Sequence, residues 1–319
     1  MSTLLTVLAL LLIGAAWYLY SPDKDRAGLE AKYASPPSQF VEVLGVRLHV
    51  RDTGPTATGP RDGPALLMLH GFASSLHTWE PWALALQRTY RVVRLDLPSF
   101  GLTGADPTGD YSEARTHAIL TALLNRLAID RVTVIGNSMG GGIAWRFAVD
   151  HPDRVDRVVL ISPEGFKPPG EAPPGTRKIP LMLQAMRYVL PTPLLRMNIA
   201  PSYADETKLT PEVVARYRDM LLAPGNRDAI LGRMMQMRRP DPEPLLRRLD
   251  KPVLLIWGEA DRLIPFSNSA DYMRLLPHAT LAAMPAMGHV PQEEAPDASL
   301  VPLLAFLREG VHAGSAGVR

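Results

Sequence analysis

The most constraining feature of this chain is an alternation. Short apolar runs at 65–69, 91–95, 131–135, 155–161, 252–257 and 280–284 are separated by helical stretches near 76–88, 113–128, 139–150, 267–276 and 297–309. A strand–helix–strand repeat of this kind buries its apolar runs in a mostly parallel sheet with helices on both faces. Two further runs, 40–44 and 46–50, flank Gly45 and place Val41, Val43, Val46, Leu48 and Val50 in alternation, which predicts a two-stranded start. The α/β class follows from the order of the elements alone.

One interval breaks the pattern. Residues 164–250 open with Lys167-Pro168-Pro169-Gly170 and continue as helical segments without a strand-like run. Thr210-Pro211-Glu212 reads as an N-cap followed by proline at the first helical position. A helical insertion between two sheet strands is expected to form a cap over the sheet edge. It holds seven of the thirteen methionines, Met182, Met186, Met197, Met220, Met234, Met235 and Met237. Their flexible thioethers suit either packing of the cap on the core or contact with varied apolar ligands. The expected organisation is therefore an anchor at 1–21, a linker at 22–38, a core at 39–163 and 251–311, and a cap at 164–250.

The anchor expectation rests on residues 4–20, which carry no charge and end in Trp17, Tyr18 and Tyr20. This length is at the short end of what spans a bilayer, and aromatic rings favour its boundary. A signal peptide fits less well, because no basic residue precedes the stretch and its exit is bulky. A buried core helix fits less well again, because the stretch has no polar face. Lys24, Arg26 and Lys32 follow it, so the positive-inside tendency places the body in the cytoplasm.

Composition narrows the chemistry. There is no cysteine, which excludes disulfides, thiolate catalysis and cysteine-ligated metal. Net charge is +2, and no dense run of Lys or Arg is present to track a phosphate backbone, so nucleic acid is not an expected partner.

Gly136-Asn137-Ser138-Met139-Gly140 matches G-x-S-x-G between an apolar run and a helical stretch, the context in which the motif presents a serine nucleophile. A sharp turn strains the serine backbone, and small neighbours two residues away avoid the clash. The serine needs a base. His289, in Met287-Gly288-His289-Val290-Pro291 after the last strand-like run, should open on the same sheet edge as Ser138. His49, His117, His151, His278 and His312 sit on a strand, a helix, helix ends and the tail. The acid that orients the imidazole is expected at Asp261, in Trp257-Gly258-Glu259-Ala260-Asp261, with Glu259 and Glu164 as rivals set aside on loop position and side-chain length. Backbone N–H groups of Met139 and of Phe72, in His70-Gly71-Phe72-Ala73, are the expected oxyanion donors. His70 is expected to brace that loop.

These stretches, with Asp96-Leu97-Pro98-Ser99-Phe100-Gly101 and Gly288-His289-Val290-Pro291-Gln292-Glu293, make the chain from about residue 40 to 309 resemble the α/β-hydrolase superfamily with a helical cap. The resemblance implies an eight-stranded sheet, a triad in the order Ser138, Asp261, His289, and no cofactor or metal. Ser99 departs from it, since relatives usually have glycine there. The serine at 138 separates the chain from superfamily members with an aspartate nucleophile. Carbon–carbon bond hydrolases of the meta-cleavage-product type share Gly-Asn-Ser-Met-Gly-Gly but commonly carry tryptophan after the histidine, where this chain has Val290. The expected function is cleavage of moderately hydrophobic carboxylic esters. The alternatives are carbon–carbon hydrolysis, or a non-catalytic membrane-anchored binding protein on the same scaffold.

Overall fold

The computed structural model describes residues 6, 7, 10, 14, 19–54, 65–166, 179–238 and 240–315. Eight strands form one sheet: β1 (Ser38–Val43), β2 (Val46–Thr53), β3 (Ala65–Leu69), β4 (Arg91–Leu95), β5 (Val132–Asn137), β6 (Val155–Ile161), β7 (Val253–Gly258) and β8 (Ala279–Met284), in the order β1-β2-β4-β3-β5-β6-β7-β8. β1 pairs antiparallel with β2 and β2 antiparallel with β4; every other pair is parallel. The mostly parallel eight-stranded sheet expected from the sequence is present.

Period-two alternation sends each strand's side chains to two cores. On one face Leu67, Leu69, Val93, Leu95, Val134 and Leu255 pack with residues of α3 (Glu113–Arg126) and α4 (Met139–Asp150). On the other, Leu66, Met68, Val92, Ile135, Val159 and Ile256 pack with α2 (Glu80–Leu86) and α12 (Pro296–Ser315) through Trp82, Leu86, Leu303 and Phe306. Between β6 and β7 lie only helices among the described residues: α5 (Leu181–Gln184), α6 (Thr192–Ile199), α7 (Pro211–Leu221), α8 (Asn226–Gln236) and α9 (Glu243–Leu246). Thr210 caps α7 as its sequence predicts, accepting from the Val213 N–H at 3.4 Å with Pro211 at the first helical position. The remaining helices are α1 (Arg26–Tyr33), α10 (Ser269–Leu275) and α11 (Pro291–Glu294).

The N-terminal expectation needs correction. No helix among the described residues is long and apolar enough to cross a membrane, which overturns the single-pass anchor, its membrane partner and the cytoplasmic side assignment. Most of residues 4–20 lie outside the described residues. Where the chain is described again it is tied to the body: Tyr20 bridges to Val189, and the Ser21 N–H donates to the Tyr188 carbonyl at 2.7 Å. The segment expected as a linker carries α1, whose Leu29 is buried. Its charges meet α7, with Lys24 at 2.5 Å, Lys32 at 2.9 Å and the Tyr33 hydroxyl at 2.8 Å from the Asp219 carboxylate.

Asp96, directly after β4, joins three parts of the sheet's carboxyl edge. One carboxylate oxygen accepts from the Leu76 N–H at 2.7 Å, and the other from the Leu102 N–H at 2.8 Å and from His49 Nδ1 on β2 at 2.7 Å. The chain turns so tightly around it that a Cβ on Gly101, at φ 55°, would run into the Asp96 carboxyl group. Burial alone would raise the Asp96 pKa, but the charge and hydrogen bond of His49 outweigh it and hold the carboxyl well below its ordinary range. A depressed folded-state pKa means that this carboxylate stabilises the fold above its unfolded value of about 3.9, and that the contribution is lost as pH falls towards the folded value. Asp96→Asn is therefore expected to cost about 3 kcal/mol near neutral pH. It should also flatten the loss of stability between about pH 5 and 3, as read from urea midpoints at constant m-value. Equal pH slopes in the two proteins would contradict this assignment.

Candidate active site

Three loops at the carboxyl ends of β5, β7 and β8 carry the predicted residues. β5 runs into α4 through Ser138, whose backbone is forced to φ 54°, ψ −120°, a conformation that L-residues adopt only under constraint. The constraint is visible in the flanking glycines. A Cβ on Gly136 would strike the Gly140 carbonyl, and one on Gly140 would strike the Leu69 carbonyl of β3. Backbone fills the space where side chains would go, so the turn can take only this shape. The first residue of α4, Met139, has no carbonyl a turn earlier in the helix, so its N–H is free of an intrahelical partner.

β7 ends at Gly258, packed against the Met287 and Gly288 carbonyls so closely that no Cβ fits. The turn beyond it aims the Asp261 side chain at the loop after β8, where Oδ2 lies 2.7 Å from His289 Nδ1. The other oxygen, Oδ1, accepts from the N–H groups of Leu263 at 2.8 Å and Ile264 at 2.9 Å. Burial would raise the Asp261 pKa, but His289 and these two N–H donors reverse it, so the carboxyl titrates below its ordinary value. With Asp261 at Nδ1, His289 Nε2 is left for the cavity side. Ser138 and His289 both line a cavity of about 280 Å³ whose other walls are Phe72, Met139, Glu164, Met234, Met237, Leu263 and Ile264.

The loop after β3 lies against the serine: a Cβ on Gly71 would sit 3.3 Å from that of Ser138. Phe72 follows, with its side chain in the cavity wall. His70 braces this loop, as expected. Its Nε2 accepts from the Leu97 N–H at 3.0 Å and its Nδ1 donates to the Gly71 carbonyl at 2.7 Å, and burial lowers its pKa, which keeps the ring neutral. Of the acid rivals, Glu164 reaches the cavity wall, and its N–H donates to the Ser138 carbonyl at 2.9 Å. Asp261, not Glu164 or Glu259, is the carboxylate bonded to His289.

Sequence reasoning missed the groups that hold these loops together. Asn137 Nδ2 donates to the His289 carbonyl at 3.0 Å and to the Ile161 carbonyl at 3.1 Å, linking the serine turn to the histidine loop. Glu294 accepts from the Gly288 N–H at 2.8 Å and the Asp205 N–H at 2.7 Å, and the His289 N–H donates to the Ser202 carbonyl at 2.8 Å. Glu293, half-buried, meets Arg216 of α7 at 2.7 Å and the hydroxyls of Tyr203 at 3.0 Å and Tyr217 at 3.1 Å. Burial would raise its pKa, but Arg216 and the hydroxyl donors hold it down. The signal available was an acidic pair beside the histidine motif, with no indication that the partners lay 76 to 90 residues upstream.

The sequence profile described as the alpha/beta hydrolase fold matches residues 64–296. The chain belongs to this family. Among relatives of this α/β-hydrolase, the magnesium-chelatase 30 kDa subunit of Rhodobacter capsulatus is 32% identical over 75% of this chain and 85% of its own. The 2-hydroxy-6-oxononadienedioate/2-hydroxy-6-oxononatrienedioate hydrolase 1 of Dechloromonas aromatica is 31% identical over 85% and 95% respectively. A solved structure described as a membrane phospholipase A, a bacterial virulence factor, is similar at a TM-score of 0.72 and 28% identity, covering 98% of this chain and 99% of that one.

Two substitutions test the site's construction. Ser138→Gly removes a side chain from a conformation that glycine adopts freely, and should raise stability by about 1 kcal/mol. Asn137→Ala strips a shared donor from two buried carbonyls and should lower stability by about 1–3 kcal/mol. Chemical denaturation reads both, and a destabilised glycine variant would show that the serine turn is not strained.

Proposed function

We propose that this α/β-hydrolase is a serine esterase in which Ser138, His289 and Asp261 act as a catalytic triad. The observation that carries the reading is the 2.7 Å contact between Asp261 and His289 beside a cavity that Ser138 also lines. A carboxylate on Nδ1 fixes the imidazole tautomer with its lone pair on Nε2, directed at the serine side of the site.

In this mechanism His289 Nε2 takes the hydroxyl proton as Ser138 Oγ attacks the ester carbonyl. The resulting oxyanion is held by the backbone N–H groups of Met139 and Phe72, the first at the positive end of α4. The tetrahedral intermediate expels the alcohol, which receives the proton from His289, and leaves an acyl group on Ser138. Water then gives a proton to His289 Nε2 as its oxygen attacks the acyl carbon. The second tetrahedral intermediate collapses, Ser138 Oγ leaves and takes the proton back from His289, and the carboxylic acid is released. Asp261 stays ionised throughout and stabilises the transient imidazolium. No cofactor or metal has a part in these steps.

Esters are favoured as substrates by the cavity lining, in which Phe72, Met234, Met237, Leu263 and Ile264 offer an apolar acyl site with few polar groups. The likeness to a phospholipase A supports ester cleavage. A second reading, carbon–carbon hydrolysis, is favoured by the likeness to the Dechloromonas aromatica hydrolase. Val290, buried beside the histidine where such enzymes commonly carry tryptophan, argues for the ester. The insertion between β6 and β7 serves as the cap that closes this cavity.

A chain-length series of 4-nitrophenyl esters separates the readings. Short and medium acyl chains should be preferred, because about 280 Å³ is at the small end of ligand pockets. Ser138→Ala should lower turnover by roughly 10⁶. An intact protein that is inert on every ester but cleaves a vinylogous diketone acid would transfer the assignment to carbon–carbon hydrolysis.

A further inference from the structure

Most buried guanidinium groups in this fold sit on a carboxylate. Arg227 meets Asp23, Arg94 meets Glu80 and Arg91 meets Asp52, each at 2.6–2.7 Å. Arg233, on α8, does not. It is 6% exposed, yet no carboxylate lies within ion-pair distance of it among the described residues. Its Nε donates to the Ser99 hydroxyl and its Nη2 to the Pro98 carbonyl, both at a long 3.3 Å and both to neutral oxygens. The rings of Phe100 and Tyr111 lie 5.7 Å from it. Burial lowers its pKa to about 10, so it remains a cation at neutral pH. An unpaired buried cation is costly.

The position suggests a use for the charge. Arg233 lines a chamber of about 150 Å³ with Tyr111, Thr116 and Gln236, and this chamber shares Met139, Glu164 and Met237 with the cavity of Ser138 and His289. Glu113 and Arg146, which also face it, lie 3.3 Å apart and offset each other. Glu164 attracts Arg233 across the chamber without reaching ion-pair distance. The residue that holds Arg233 is itself strained: Ser99 is fully buried at φ 84°, where glycine would cost nothing. Glycine there would remove the hydroxyl that anchors Nε.

We propose that Arg233 forms an oxyanion-binding subsite in this chamber, so that preferred substrates carry a carboxylate or phosphate on the part of the molecule directed away from Ser138. The proposal rests on the esterase reading and names its substrate class.

The test compares two esters with the same acyl length in the full chain, 4-nitrophenyl hexanoate and mono-4-nitrophenyl adipate, which ends in a carboxylate. In the unsubstituted protein kcat/KM should favour the adipate ester. Arg233→Met should lower the adipate-to-hexanoate ratio at least about tenfold, chiefly through KM, with Arg233→Lys and Ser99→Gly intermediate. Equal losses on both esters would reduce Arg233 to a packing role, and an unsubstituted protein without anion preference would overturn the subsite outright. Free adipate and glycerol 3-phosphate, each against hexane-1,6-diol, give a readout that needs neither turnover nor a folded variant. Either anion should raise the melting temperature of the unsubstituted protein where the diol does not, and the stronger one identifies the carboxylate or phosphate source. No shift with either anion sinks the subsite. Failure of the esterase reading shows separately, as hexanoate turnover that is absent or survives in Ser138→Ala.

Discussion

Close backbone approach at the carboxyl end of the central strands is the constraint on which the rest of this structure depends. Gly136 and Gly140 bring the serine turn against its own helix and against β3, Gly258 brings β7 against the histidine loop, and Gly288 brings that loop against the insertion at Ser202. Each contact is too tight for a side chain, so the loops cannot slide past one another without steric conflict. The strain of Ser138, at φ 54°, is a consequence of this packing. Surrounding structure over-determines the strained residue, which is how a reactive group can be held away from its own conformational minimum.

Polar groups then fix what the glycines bring close. Asn137 spans from the serine turn to the His289 carbonyl, Asp261 spans from the β7 loop to the imidazole, and Glu294 spans from the histidine loop to Asp205 in the insertion. The insertion is therefore part of the site's support. Its Arg216 is neutralised by Glu293 four residues beyond His289, whereas its Arg233, facing the adjoining chamber, has no carboxylate within ion-pair distance among the described residues. Two arginines on neighbouring helices thus have opposite electrostatic roles, one closing the structure and one leaving charge available.

Much of this was legible from residue order. The apolar runs at 65–69, 91–95 and 155–161 coincide with strands, because fully buried parallel strands read as continuous apolar segments bounded by turn residues. The loop positions of Ser138, Asp261 and His289 followed from the runs at 131–135, 252–257 and 280–284, since open α/β sheets gather such loops on one edge. The N-terminal region was misread for a physical reason. An uncharged stretch followed by mixed charges resembles an anchor and a solvated tether, yet Lys24 and Lys32 are held by Asp219, nearly two hundred residues away, and α1 docks through Leu29. Asn137, Glu294 and Arg233 were equally hidden. Each acts through a partner distant in sequence, so neither spacing nor periodicity marks it, and only the folded arrangement shows what it meets.

The central claim is that Ser138 is an activated nucleophile, and a fluorophosphonate probe tests this most directly. It reacts rapidly only with a serine whose proton is taken by a neighbouring base. Intact-mass analysis followed by peptide mapping should find one adduct per chain, on Ser138, formed within minutes and greatly slowed in His289→Ala. Absence of labelling in a folded protein, or labelling that is unaffected by loss of His289, would contradict the account.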